Sequence, residues 1–245
     1  MNLRDLVQGK EFKLWAAILI LLVISITGCY KTTESRKNNP YNLDIVQTKE
    51  VYDEQVIVNP LNKVEDLQKI KNIELDIRYA TANNFTSKVI YTSPKAFARK
   101  PVFEALKKVQ DSLSKLNLGI KVFDAYRPYA ATLKFHDVYP DTNYVANPRS
   151  GSRHNRGCAI DLTLVDLRAG KELEMPTEFD NFTEKAHIDY QNLSDTVIAN
   201  RKLLLNIMTH FGFTCIGSEW WHYDYNGWQE YKLMDISFEE LENQK

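Results

Sequence analysis

Apolar residues along the chain follow two different periods. Phe103, Leu106, Val109, Leu113 and Leu116 recur every three or four positions, and Gly119 follows them. That spacing lays one apolar stripe along a helix, with the glycine as its stop. A second helix is written into "LSDTVIANRKLLLNIMTHFG", where Ser194 is the expected N-cap, Val197, Leu204, Leu205 and Met208 share a face, and Gly212 ends it. Other stretches alternate, or are rich in β-branched and aromatic residues: "IKVFDAY" (120–126), "CAIDLTLV" (158–165), "FTCI" (213–216) and "WWHYDY" (220–225). These read as strands. Helices interleaved with such strands predict an α+β fold, a single compact domain with helices packed on a mostly antiparallel central sheet.

The amino-terminal pattern is of another kind. Arg4, Lys10 and Lys13 precede a run from Leu14 to Tyr30 that carries no charge. A membrane span needs about 20 apolar residues, and this run is shorter and ends in small residues, the form of a secretory signal. The ending "ITGC" also resembles a bacterial lipoprotein signal, in which Cys29 becomes the lipidated first residue of the mature chain. The expected organisation is a signal peptide over 1–28, a polar tether over 29–55 and a folded domain over 56–245. The body of the protein is then exported and held at a membrane by lipid on Cys29. An uncleaved anchor helix would place it on the same side.

Composition changes this picture little. With 245 residues, 44% of them hydrophobic, the chain can bury a sizeable core. Its 31 basic and 32 acidic residues leave a formal charge of −1 without a basic block, so nothing electrostatic points to nucleic acid. No protein partner is suggested either. Only Cys158 and Cys215 follow Cys29, too few for a disulfide framework. Cys158 shares the parity of Ile160 and Leu162 and is expected in the core.

The densest polar stretch is "SGSRHNRGCAIDLTL" (150–164). On a strand, Ile160, Leu162 and Leu164 point one way and Ala159, Asp161 and Thr163 the other. His154 has the wrong parity for Asp161, but Gly157 lets the chain bend between them. In "WWHYDY", His222 shares a face with Trp220 and Asp224, while Glu219 precedes the strand and projects from the loop above. Two histidines and an aspartate could therefore hold a metal with a fourth position open, as in catalytic zinc sites, with a free carboxylate close enough to take a proton from water. Histidines that face solvent or are satisfied by hydrogen bonds fit the spacing equally well. The helical H-E-x-x-H signature is absent.

"SRHNRGCAIDLTL" resembles the S-x-H-x-x-G-x-A-x-D motif, and "EWWH" the E-x-x-H motif, of the zinc D-alanyl-D-alanine dipeptidases of the vancomycin-resistance type, peptidase family M15. "LDIRYATANNFT" (75–86), "DAYRP" (124–128) and "EFDNF" (178–182) resemble further segments of that group, in the same order. The resemblance implies one Zn²⁺ per chain, held by His154, Asp161 and His222, with Glu219 as general base and Arg127 stabilising the oxyanion. It implies substrate contacts from Asp180, Ser152 and Tyr79, a hedgehog/D,D-peptidase-like fold, and hydrolysis of the D-Ala-D-Ala dipeptide, here outside the cytoplasm in cell-wall peptide turnover. Two departures are Ser87 after "NFT", where the group commonly has glycine, and Cys158, where serine or alanine is frequent. Related folds also act on longer peptidoglycan stem peptides, as D,D-carboxypeptidases or endopeptidases. Hedgehog domains show a similar zinc arrangement without an established peptidase role, so a non-catalytic binding module is the rival from another class.

Overall fold

The structure, a computed structural model, describes residues 38–243. Its centre is a six-stranded sheet built from β1 (Glu74–Leu75), β2 (Leu118–Asp124), β3 (Ala159–Asp166), β4 (Lys171–Glu172), β5 (Phe213–Cys215) and β6 (His222–Tyr225). The order is β1-β2-β3-β6-β5, with β4 pairing onto β3. The β1–β2 pair is parallel and the other pairs are antiparallel, so the sheet is mixed with antiparallel pairing dominant. Five helices accompany it: α1 (Lys49–Val58), α2 (Lys100–Ser114), α3 (Tyr129–Val138), α4 (Asp195–His210) and α5 (Phe238–Glu242).

β3 is the spine. Its alternation works as the sequence predicts: Ile160, Leu162 and Leu164 are fully buried in a core shared with Leu106, Val109 and Leu113 of α2 and Leu204 and Met208 of α4. Cys158 is buried in the same core and unpaired, and Cys215 is unpaired too. Ser194 caps α4 by accepting from the Val197 N–H at 3.3 Å, and Gly212 takes φ +88° just beyond it.

Two local expectations shift. α2 ends at Ser114, and Asn117, with φ +57°, makes the break in place of Gly119. Leu116 therefore leaves the apolar stripe and is 59% exposed. Gly119 instead lies within β2, where a Cβ would sit 2.7 Å from Leu167. A side chain there would crowd Leu167 and the Asn72 carbonyl, the latter at 3.2 Å.

The larger correction concerns the tether. The folded unit starts at Asn39, not at 56. Ile45–Val46 pairs in parallel with Leu233–Met234, and α1 buries Tyr52, whose hydroxyl accepts from the Val64 N–H at 2.8 Å. Ile45–Val46 and Val51–Tyr52 are short apolar pairs in a polar stretch, and they build no sustained period to read. The signal peptide and Cys29 lie outside the described residues. Among the described residues, no helix is long and apolar enough to cross a membrane.

Candidate active site

Asp161 on β3 and His222 on β6 are direct cross-strand partners, so the antiparallel register puts both side chains on one face. The His222 Nδ1 lies 2.9 Å from the Asp161 Oδ1. His154 comes from a turn of 3₁₀-helix (His154–Arg156) closed by Gly157 in the left-handed region, φ +70°. That bend brings His154 Nε2 to 3.4 Å from Asp161 Oδ1 and 3.1 Å from His222 Nδ1. The three predicted ligands meet, all buried.

The outer ring nitrogens decide what the inner ones present. His154 Nδ1 is 2.7 Å from the Ala125 carbonyl, an acceptor only, so this nitrogen carries the proton and Nε2 turns a lone pair inward. His222 Nε2 is 2.9 Å from Asp224 Oδ1, which likewise leaves Nδ1 facing the centre. Two imidazole lone pairs and a carboxylate oxygen converge on one point, an arrangement that a cation must neutralise. Burial alone would lower the His222 pKa, but hydrogen bonds to Asp161 and Asp224 push it up to about 10. Asp161 is held well below the usual carboxylate range by His154 and His222, although burial opposes this. Nitrogen and oxygen donors in this number, with the outer nitrogens anchored, suit zinc. Of the described His, Cys, Asp and Glu residues, His154, Asp161 and His222 form the one such group.

Glu219 stands beside this trio. A turn in which His222 N–H donates to the Glu219 carbonyl (3.2 Å) aims its side chain into the same cavity, with Oε2 3.9 Å from His222 Nδ1. Burial, reinforced by the Asp161 charge and opposed by His222 and Arg127, pushes its pKa up to about 7. A carboxyl poised there can both accept and release a proton near neutrality.

Arg127 reaches the site from the loop after β2. Its Nε and Nη2 donate to Asp124 Oδ2 at 3.0 and 2.8 Å, and Nη2 is 4.0 Å from Asp161 Oδ2. The guanidinium also stacks over Phe135, 4.7 Å from the ring centre. Asp124 is itself fixed by the Tyr91 hydroxyl and the Ala125 N–H, at 2.8 and 2.9 Å. Across the cavity, Tyr79 donates to Asp180 Oδ1 at 2.9 Å, while the buried Oδ2 of Asp180 has no hydrogen-bond partner among the described residues. Burial raises the Asp180 pKa well above the ordinary value. Ser152 Oγ accepts from the His154 N–H at 3.1 Å. All eight predicted residues therefore line one cavity of about 220 Å³.

Three contributors escape the sequence reading. Asp124 lies inside "DAYRP" and holds Arg127; Asp224 lies inside "WWHYDY" and orients His222. Asn155 lies between His154 and Arg156, where its amide donates to the Arg127 carbonyl and its Oδ1 accepts from the Ser152 N–H. Asp224 had a readable signal, since it shares the parity of His222. His136, His187 and His210 stay outside the trio.

The profile of the family described as D-ala-D-ala dipeptidase, peptidase family M15, matches residues 61–240. The D-alanyl-D-alanine dipeptidase of Escherichia coli K12 is 36% identical over 167 residues, 68% of this chain and 86% of that protein. The enzyme of that name from Enterococcus faecalis is 31% identical over 179 residues, covering 64% and 87%. A solved structure of the vancomycin-resistance D,D-pentapeptidase VanY with Zn(II) overlays at a TM-score of 0.35 and 17% identity, over 57% of this chain and 78% of that one. An overlay that loose carries no weight for the fold. The sequence match spans nearly the whole folded unit and every residue of the cavity, and on that footing the chain is a metallopeptidase belonging to the D-alanyl-D-alanine dipeptidase family.

Proposed function

We propose that this chain hydrolyses the D-Ala-D-Ala dipeptide to free D-alanine in a zinc-dependent reaction, outside the cytoplasm, as part of cell-wall peptide turnover. The observation that carries this reading is the convergence of His154, Asp161 and His222 within hydrogen-bonding distances, with Glu219 beside them. A zinc ion held by those three residues would supply Lewis acidity towards a carbonyl oxygen and acidify a water molecule.

The chain's own residues do the rest. Glu219 Oε2 accepts the water proton and returns it to the departing amine, a double duty open to a carboxyl whose burial raises its pKa. Arg127, held by Asp124, keeps a permanent positive charge facing the oxygen on which negative charge develops. The unpartnered Oδ2 of Asp180 takes the substrate ammonium, with Tyr79 fixing the other oxygen. A cavity of about 220 Å³ falls below the roughly 300–1,000 Å³ of pockets for drug-sized ligands. It suits a dipeptide better than a pentapeptide stem.

Purified protein is expected to release D-alanine from D-Ala-D-Ala, to lose that activity on chelation and to regain it with zinc. It should leave a stem pentapeptide intact. Turnover that survives complete metal removal, or preference for the pentapeptide, rejects the proposal. Export rests on the uncharged run that contains Cys29: a fatty-acid label should be incorporated by the wild type and lost in Cys29→Ala, and a labelled Cys29→Ala overturns the lipid anchor.

A further inference from the structure

A dipeptide carries two charged ends, and the cavity shows an obvious partner for only one. Asp180 Oδ2 awaits the ammonium. The free carboxylate needs a cation, and only Arg127 and Arg153 among the lining residues carry a permanent positive charge. Arg127 is committed: Nε and Nη2 are both engaged with Asp124, and its plane is stacked on Phe135.

Arg153 is built differently. Its side chain is 48% exposed, and Nε makes a single long contact to Asp224 Oδ2 at 3.5 Å. The guanidinium lies over Trp228 with its carbon 4.8 Å from the ring centre. The Trp228 ring and the Asp224 contact hold the group while Arg153 still lines the cavity, and no hydrogen bond from Nη1 or Nη2 is found among the described residues. A planar fork with free edge donors is matched to a carboxylate, which it can hold by two parallel hydrogen bonds. The backbone is equally well placed. The Arg153 carbonyl accepts from the N–H groups of Arg156 and Cys158, each at 3.0 Å, and the residue directly precedes His154. Its distance from the metal-binding trio is therefore fixed by the same turn.

We infer that Arg153 is the specificity residue that binds the free α-carboxylate of the substrate, so that the enzyme selects a peptide bond one residue from a carboxyl terminus. This rests on the dipeptidase reading and goes beyond it by assigning the carboxylate end. Asp224 then serves two neighbours, orienting His222 through Oδ1 and steadying the resting Arg153 through Oδ2.

The test compares kcat/KM of the zinc-loaded protein for D-Ala-D-Ala and for its carboxyl-terminal amide, in wild type, Arg153→Met and Arg153→Lys. A charge-assisted contact of this kind gives the wild type a preference for the free acid of about 30-fold. Arg153→Met should bring that ratio to within about threefold of unity, through a raised KM for the acid, and Arg153→Lys, which keeps the charge but not the fork, should fall between. An unchanged ratio in Arg153→Met overturns the assignment, as does a wild type that uses both substrates equally. Equal losses on acid and amide also overturn it, since Arg153 would then act only through Asp224 and His222. A wild type that hydrolyses neither compound rejects the dipeptidase reading itself, a separate result.

Discussion

Glu219→Gln is expected to lower kcat on D-Ala-D-Ala by about a thousandfold, within the roughly 10²–10⁴ range for a positioned acid–base group. Glutamine has nearly the same shape and stays in the turn before β6, so the loss isolates proton transfer. The wild-type pH profile should carry the same signature. Glu219 must be ionised to accept a proton, and burial holds its pKa at about 7 in the metal-free protein. Activity should therefore fall as the pH drops through that region, with the limb moved lower by a bound cation, which favours the carboxylate. Stability should move the other way. The carboxyl takes up its proton more readily folded than unfolded, so its contribution to stability is lost as pH rises from about 4.5 through about 7 and levels off above that. Relieving that buried charge should make metal-free Glu219→Gln more stable than wild type at pH 8, by on the order of 2–3 kcal/mol. A variant with wild-type kcat, or one that keeps the acid limb, would remove Glu219 from the chemistry.

The second large effect is expected at Asp124. It accepts from Arg127, Tyr91 and the Ala125 N–H, and it is 1% exposed. Asp124→Ala leaves a buried guanidinium without its counter-ion and a buried phenol without its acceptor. Breaking such a pair costs about 3–5 kcal/mol, which for a domain of this size lowers the melting temperature by roughly 10 °C. Activity should drop about a hundredfold or more, because a guanidinium displaced by an ångström no longer faces the developing charge. Asp124→Asn keeps one oxygen acceptor and should lie between. Melting within 2 °C or so of wild type, together with retained kcat, would show that Arg127 is held by other means.

Asp161 and His222 were legible because they lie on strands, where parity assigns a face to each residue; His154 sits in a turn before Gly157, and only the motif resemblance joined it to them. The helices were legible in their stripes but not at their ends: Asn117 makes the turn that Gly119 was expected to make, since asparagine also tolerates positive φ. Asp124 was hidden in a plain motif, whereas Asp224 shared the parity of His222 and could have been read. A carboxylate that acts by holding another side chain has no spacing rule of its own, as its partner is set by tertiary structure. The amino-terminal clasp failed to show for a related reason. Val46 and Tyr52 are too sparse to form a period, and their partners, Leu233–Met234 and Val64, are chosen by the fold.

Arg99 ties distant parts of that fold together. It is fully buried and donates to the carbonyls of Asn62, Arg156 and Lys232, while its own N–H donates to the Gly157 carbonyl at 2.9 Å. The turn bearing His154 is thus secured by chain from both ends of the domain. A nascent polypeptide halted before Lys232 lacks one of these carbonyls and cannot close that clamp, whichever ligands it already contains. The turn that presents His154 accordingly depends on a carbonyl far downstream of it in the sequence.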